Sequence, residues 1–487
     1  MKKTFLLLAA CLLPAVLPAE TVTVYHTSDV HGFFYPREGR GGFGALAAVI
    51  KDGPEDYLLL DSGDFSNGTV ETRNSKGLKA VQLMNKMGYH AATVGNHEFD
   101  FKDKGVAPIL GAAEFPILAA NFYDKSTGKY PAHVAPYKFF EVDDVKVAVI
   151  GLANRVPTNP AKSYSYGKPL KALEKALKEV EKQHPDVVLV IVHDSLKDEK
   201  HGTQSYVGDI GRKFAGRVHV VMGGHAHQIF QNEYINGVLF VESGCYLDNV
   251  SKITIETDDE TGKVVSAKSE LIPLIVEKTG EDEDMKEYAD SLREPGVDVS
   301  VGEATETLSK FPVKEGVQDA PLNVWIADLL KAYSGAQIAI HNNGGTRVDM
   351  KQGPVTRRDL IEIHPFDNTV TLVEVDGKFL KKFVKTGFAP RSLFTYSGLE
   401  VSYKLNKKGK VKDVELLVDG KPVENRKKYL IATNSYIAGG GSEGFLFKKI
   451  PAENKKLAGA TTIRDLMEEG LKKGPLSAPE TGRIHQR

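Results

Sequence analysis

Five short polar clusters in the first half of the chain, four of them directly behind strand-like runs, constrain the fold more than any other feature. They are Asp29-Val30-His31, Gly63-Asp64, Gly95-Asn96-His97-Glu98-Phe99-Asp100, Val192-His193-Asp194 and Gly223-Gly224-His225-Ala226-His227. Thr21 to His26 alternates as a strand does, and Tyr57 to Leu60 reads as a buried strand. Asp186 to Val192 and Val218 to Met222 are further strands, the last running into a glycine pair. Between them, Gly44 to Lys51 forms a short helix. A second helix from Lys168 to His184 puts Leu170, Leu173, Leu177 and Val180 on one face. Strands that empty into polar, glycine-containing loops predict an α/β core with its site at the strand ends.

The residue types in those loops suit one chemistry. A single His behind a strand is usually a satisfied surface or core residue, Asp64 alone reads as a helix cap, and Gly223-Gly224 alone as a turn. Carboxylate, amide and imidazole repeated together at strand ends are what a hydrolytic metal site requires. Two cations roughly 3.5–4 Å apart can activate a bridging water and neutralise both ends of a displacement at phosphorus. A carboxylate can bridge two cations, a neutral imidazole cannot, and thiolates are not needed.

At 487 residues the chain is too long for one ordinary core, and two domains are expected. Composition turns acidic and polar around Glu277 to Pro295, with a helix from Glu281 to Leu292. The reading is therefore a leader at 1–19, a first domain at 20–277, a linker helix at 278–300 and a second domain at 301–487. In the second domain a helix near Asn323 to Tyr333 precedes a strand from Ala336 to His341. Another helix opens at Thr356 with Asp359 three residues on, a capping-box spacing. Strands follow around Thr371, Val411 and Tyr429.

Lys plus Arg (63) nearly cancels Asp plus Glu (64), which leaves no electrostatic footprint for a nucleic-acid polymer or an acidic membrane. Met1-Lys2-Lys3, an apolar run from Phe5 to Leu17 and then Pro18-Ala19-Glu20 form the pattern of a secretory leader. The run is shorter than the roughly 20 apolar residues of a spanning helix. Leu8-Ala9-Ala10-Cys11 resembles a lipobox, so lipid anchoring at Cys11 is the minority expectation beside a periplasmic or extracellular soluble form. After cleavage Cys245 has no internal partner and no disulfide is expected.

The ordered set D-x-H, G-D, G-N-H-E-F-D, H and G-G-H-x-H resembles the calcineurin-like metallophosphoesterases, and more closely the exported bacterial 5′-nucleotidase family. The resemblance implies a metallophosphoesterase α/β sandwich joined through the helical linker to a second α/β substrate-binding domain. It implies that Asp29, His31 and His227 hold one metal, that Asn96, His193 and His225 hold the other, and that Asp64 bridges them. Mixed oxygen and nitrogen ligation suits Mn²⁺, Zn²⁺, Co²⁺ or Fe. His97 would face the substrate as transition-state stabiliser or acid, with Asp100 orienting its ring and favouring its protonated form. Taken by itself, Asp100 reads as the cap of a helix beginning near Phe101.

In the second domain, Asn342-Asn343-Gly344-Gly345-Thr346-Arg347 looks like the family's N-x-G-G-x-R loop, in which Arg347 grips a phosphate and Asn342 bonds the nucleoside. Phe366, in His364-Pro365-Phe366, and Tyr436, before Ile437-Ala438-Gly439-Gly440, look like its two base-stacking aromatics; taken alone, each is more often core. Two departures mark this half. The Arg that many relatives carry before the helix start is absent from Gln318-Asp319-Ala320-Pro321-Leu322-Asn323. The loop Gly439-Gly440-Gly441-Ser442-Glu443-Gly444-Phe445 is one residue longer than the usual one.

What the resemblance implies is two-metal hydrolysis of nucleoside 5′-monophosphates, with a small-molecule nucleotide as substrate; neither a nucleic-acid polymer nor a membrane span is expected, and oligomeric state leaves no mark in the sequence. The alternative is a UDP-sugar or dinucleotide pyrophosphatase, or a 2′,3′-cyclic nucleotide phosphodiesterase, on the same metal site. A sulfur-ester hydrolase of this fold is more distant. A dead, nucleotide-binding relative would be marked by loss of Asp64, Asn96 or His97, and all three are present.

Overall fold

The computed structural model describes residues 20–153, 162–197, 205–258, 260–388 and 392–487, and only the backbone of Ser442 and Glu443. The leader read at residues 1–19, with Cys11, lies outside the described residues, as does the side chain of Glu443.

In the N-terminal half two sheets lie face to face. One runs in the order Val264–Pro273, Asn249–Thr257, Glu20–Thr27, Leu58–Asp61, Ala91–Ala92, Ile117–Leu118 and Val134–Ala135. The other runs Ile229–Ile235, Val238–Ser243, Val220–Met222, Val187–Val192, Val145–Leu152 and Tyr137–Val142. Strand Val187–Val192 shows why they stack, for all its residues are buried. Val187, Leu189 and Ile191 pack with Val22, Val24, Leu58 and Leu60 of the facing sheet. Val188, Val190 and Val192 pack with helices Pro169–Val180 and Val207–Phe214 on the other side. A strand apolar at both parities must be covered on both faces. Helices Phe43–Lys51, Leu78–Met87 and Asp103–Ala112 cover the outer face of the first sheet, completing a helix–sheet–sheet–helix sandwich.

The central strands of each sheet are parallel: Glu20–Thr27 with Leu58–Asp61 and Ala91–Ala92, and Val187–Val192 with Val145–Leu152 and Val220–Met222. Their carboxyl ends share an edge in each sheet, so the five polar clusters emerge there together.

The helix Glu283–Ser291 is docked on the N-terminal half instead of standing free between the halves. Met285 and Ala289 enter that half's core, and Asp282 N donates to Gly44 O at 2.9 Å. The chain then crosses to a second α/β unit. Its five-stranded sheet runs Phe394–Ser397, Ile338–Asn342, Lys428–Asn434, Thr369–Asp376 and Lys455–Thr462. A four-stranded sheet of Lys421–Pro422, Val411–Val418, Glu400–Leu405 and Ile484–Gln486 stands beside it.

Candidate metal centre and the cleft beside it

Asp29, His31, Asp64, His225 and His227 all hold φ between 51° and 79°. Such left-handed conformations are uncommon outside glycine and cluster where side chains must be aimed. Two glycines make the convergence possible. A Cβ on Gly95 would stand 2.2 Å from Asp64 Oδ1, and one on Gly224 would stand 2.0 Å from Ser28 Oγ.

The loops bring together three overlapping groups of donor atoms, each within 4.8 Å: Asp29, His31 and His227; His31, Asp64 and His97; Asp64, His193 and His225. His31 Nε2 lies 3.2 Å from His227 Nε2, and 4.0 Å from both Asp29 Oδ1 and Asp64 Oδ2. His193 Nε2 lies 3.0 Å from Asp64 Oδ2 and 3.2 Å from Asn96 Oδ1. Asp64 thus stands between the two sets, where a carboxylate can serve both.

The donor set fits two divalent cations. His31 Nδ1 meets Asn67 O and His193 Nδ1 meets Ser62 O, each at 2.7 Å. A carbonyl can only accept, so both Nδ1 atoms donate, and in the neutral ring each Nε2 carries its lone pair inward. Lone pairs aimed at carboxylates and at a second imidazole repel unless positive charge lies between them. A proton on His193 answers the same need for positive charge. Burial alone would keep His193 neutral, yet the Asp64 carboxylate lifts it to about 10. Burial pushes Asp29 up to about 6, against the pull of His193.

His97 borders this centre. Its ring lies 5.0 Å edge-on to that of His31, and its Nδ1 lies 2.6 Å from Asp100 Oδ2. Burial disfavours the imidazolium, but Asp100 and Asp64 outweigh it and raise its titration above the ordinary histidine range. Asp100 closes the single turn His97–Phe99 and does not cap the helix that follows. The next helix begins at Asp103 behind Lys102, and the Asp100 carboxylate also accepts from Asn67 Nδ2 at 2.6 Å.

Three residues with no assigned role in the sequence reading organise the site. Asn67 uses its carbonyl on His31 and its amide on Asp100. Glu98 is fully buried and accepts from the main-chain N–H groups of Gly95, Asp64 and Ser66 at 2.6, 3.0 and 3.1 Å. Tyr246 lays its ring 5.6 Å from His31 and 5.3 Å from His227. Glu98 lies inside the G-N-H-E signature, so it was visible as a motif letter. Asn67 and Tyr246 carry no local signal.

The C-terminal half closes over the centre. Arg347 is half-buried, and its Nη2 lies 3.4 Å from His31 Nε2. Phe366 lies near-parallel to His97, with ring centres 6.0 Å apart at 28°. Asn342 ends the strand Ile338–Asn342, and its Oδ1 accepts from Asn434 Nδ2 at 2.7 Å. Tyr436, two residues beyond Asn434, rests its ring on Gly441 of the glycine loop. Beside Arg347 a cavity of about 620 Å³ runs between the halves, lined by Arg37, Cys245, Tyr246, Lys310 and Glu362. Cys245 forms no disulfide, and burial pushes its thiol up to about 12.

The sequence model of the calcineurin-like phosphoesterases matches residues 22–229, and that of the 5′-nucleotidase C-terminal domain matches residues 300–449. The endonuclease YhcR of Bacillus subtilis is 28% identical over 427 residues, which are 82% of this chain and 34% of that protein. This chain spans about a third of the length of YhcR and of a second Bacillus subtilis relative, the trifunctional nucleotide phosphoesterase YfkN. Protein UshA of Escherichia coli is 27% identical over 482 residues, 86% of each chain. Among solved structures, a 5′-nucleotidase precursor from Thermus thermophilus shares the fold, with a TM-score of 0.83 at 24% identity over 96% of this chain and 99% of that one.

Proposed function

Because this chain belongs to the calcineurin-like phosphoesterases that carry a 5′-nucleotidase C-terminal domain, we propose that it is an exported metal-dependent phosphohydrolase that converts nucleoside 5′-monophosphates to nucleoside and phosphate. Asp29, His31 and His227 would hold one divalent cation and Asn96, His193 and His225 the other, with the Asp64 carboxylate available to both. When bound, the pair supplies water activation and charge neutralisation at phosphorus.

The chain's own groups do the rest. Arg347 presents a guanidinium fork to phosphate oxygens. Asp100 holds the Nδ1 proton of His97, leaving Nε2 to donate to the oxygen on which charge grows as the ester breaks. Phe366 and Tyr436 offer faces for the base, and Asn342 a polar edge for the nucleoside. Export rests on the charged and apolar leader. No described helix is long and apolar enough to cross a membrane.

The observation that carries this reading is the approach of Arg347 and Phe366, from the C-terminal half, to His31 and His97. Groups suited to phosphate and base stand within one nucleotide's reach of the metal donors. The cavity beside Arg347 favours a second reading on the same centre, a nucleoside diphosphate sugar or dinucleotide whose far group extends into it. The test is phosphate release with added Mn²⁺ across AMP, UMP, UDP-glucose, NAD, a 2′,3′-cyclic nucleotide and p-nitrophenyl phosphate. A second phosphatase is coupled to reveal diester cleavage. Monophosphate turnover that collapses in His97→Asn supports the first reading. Activity confined to diesters or the sugar nucleotide replaces it with the second.

A further inference from the structure

The segment bearing Phe366 is held by two arginines from different halves of the molecule. Arg464, at the start of helix Ile463–Leu471, donates through Nη1 to His364 O at 2.8 Å and Phe366 O at 2.7 Å. Its Nη2 bonds the carboxylate of Asp367, the residue after Phe366. The same carboxylate oxygen accepts from Nη2 of Arg73, which belongs to the N-terminal half. Arg73 lies on helix Val70–Ser75, reached directly from the loop that carries Asp64 and Asn67. Neighbouring Glu71 is fully buried and bonds Arg358 Nη1 of the C-terminal half at 2.7 Å. Its Oε1 also accepts from Glu294 N, at the crossing between halves, at 3.1 Å. One short helix therefore grips the second half twice, near the crossing through Glu71 and at the cleft through Arg73.

We propose that Arg73 is a positioning residue for base recognition: through Asp367 it sets the Phe366 ring at its place beside His97. The connections form a closed circuit. Asn67 fixes His31 and Asp100, Asp100 fixes His97, and helix Val70–Ser75 carries Arg73 from the same loop to Asp367. Arg464 makes the receiving segment rigid, so a pull on the carboxylate moves the ring with it. An exposed ion pair contributes little stability, and Asp367 is 57% exposed. What this pair fixes is geometry across an interface, where a misplacement of about 1 Å is costly. Among the described residues, Arg73 is hydrogen-bonded to none of the metal donors and does not line the cavity beside Arg347.

The inference rests on the reading that Phe366 stacks a base, and the experiment separates the two. Steady-state kinetics on AMP and on p-nitrophenyl phosphate, which has no nucleobase, are compared for parent, Arg73→Gln, Arg73→Lys, Phe366→Ala and the Arg73→Gln/Phe366→Ala double variant. Arg73→Gln should raise KM for AMP about tenfold, the scale of one lost base stack. Its kcat should stay within about twofold, and KM for p-nitrophenyl phosphate should not move. The double variant should be no worse than Phe366→Ala, because positioning has no value without the ring. Arg73→Lys should restore most of the loss, and serves as the folded cationic control. Additive losses, or equal losses on both substrates, would overturn the proposal. So would an unchanged KM for AMP in Arg73→Gln while Phe366→Ala raises it. If Phe366→Ala itself leaves AMP unaffected, base stacking fails and the inference falls with it.

Discussion

At the scale of single residues the site is held by contacts that no side-chain inventory contains. Five donor residues keep left-handed backbones, each costing on the order of 1–3 kcal/mol, and the surrounding loops hold them there. Glu98 is the clearest holder, one carboxylate taking three main-chain N–H groups from the loops that carry Asp64 and Asn96. Replacing it with Gln turns an amide N–H₂ toward those donors. Glu98→Gln should cost about 1–3 kcal/mol of stability and lower metal affinity about 10- to 100-fold. The adjacent His97→Asn should keep its metals and lose roughly 10²–10⁴ in kcat. Metal content after dialysis and kcat on the same preparations tell the two apart. A Glu98→Gln protein with parental metal affinity would show that the carboxylate is not what aims the donors. Sequence alone marked His97 and Glu98 as one motif. Their division of labour, one facing the cleft and the other facing backbone, depends on which way a tight turn sends each side chain.

Elements were legible where local chemistry fixes their ends. Thr356 and Asp359 form the capping box that their spacing predicts, with N···O distances of 2.7 and 3.2 Å. The helix expected at Glu281 to Leu292 is Glu283–Ser291, but its docking on helix Phe43–Lys51 was not readable. Its apolar residues Met285 and Ala289 say only that one face is covered, not by what. Its cap ties the two together. Asp282 accepts from Met285 N at 3.0 Å and from Lys51 Nζ at 3.0 Å. The backbone bond first, and then Lys51, hold its carboxyl below the ordinary carboxylate range. A depressed folded value adds stability that is present above the unfolded value of about 3.9 and lost as pH falls through the folded one. Asp282→Ala should therefore cost about 1 kcal/mol near neutral pH. The gap to parent should narrow as urea unfolding is repeated from pH 6 down to pH 3. A gap that stays constant over that range would mean the carboxylate charge plays no part in the cap.

At the scale of the whole molecule, two facts dominate: negative charge and inward lone pairs concentrated at one sheet edge, and a second half that reaches that edge. Cations that bind only the folded centre must stabilise it. A hundredfold excess over Kd gives about 2.7 kcal/mol, or roughly 5 °C or more in the melting temperature of a domain this size. Mn²⁺, Zn²⁺ or Co²⁺ should produce that rise, a chelator should reverse it and abolish hydrolysis, and Asp64→Asn should remove most of it. Differential scanning calorimetry with and without metal reads the shift; none with any of the three would count against a dimetal centre. The sequence by itself determined the strand-and-loop rhythm of the N-terminal half, the polar residues at its strand ends and the acidic, polar composition near residues 277–295. Each of these is written in periodicity, residue type or composition over a short window. Only the tertiary structure decided that Asp64 stands between the two donor sets and that Asn67 serves both His31 and Asp100. It alone decided that Arg347, Phe366 and Arg73 meet across the halves. Those pairings join residues tens to hundreds of positions apart, and packing of the sheets, not local sequence, sets the distance between them.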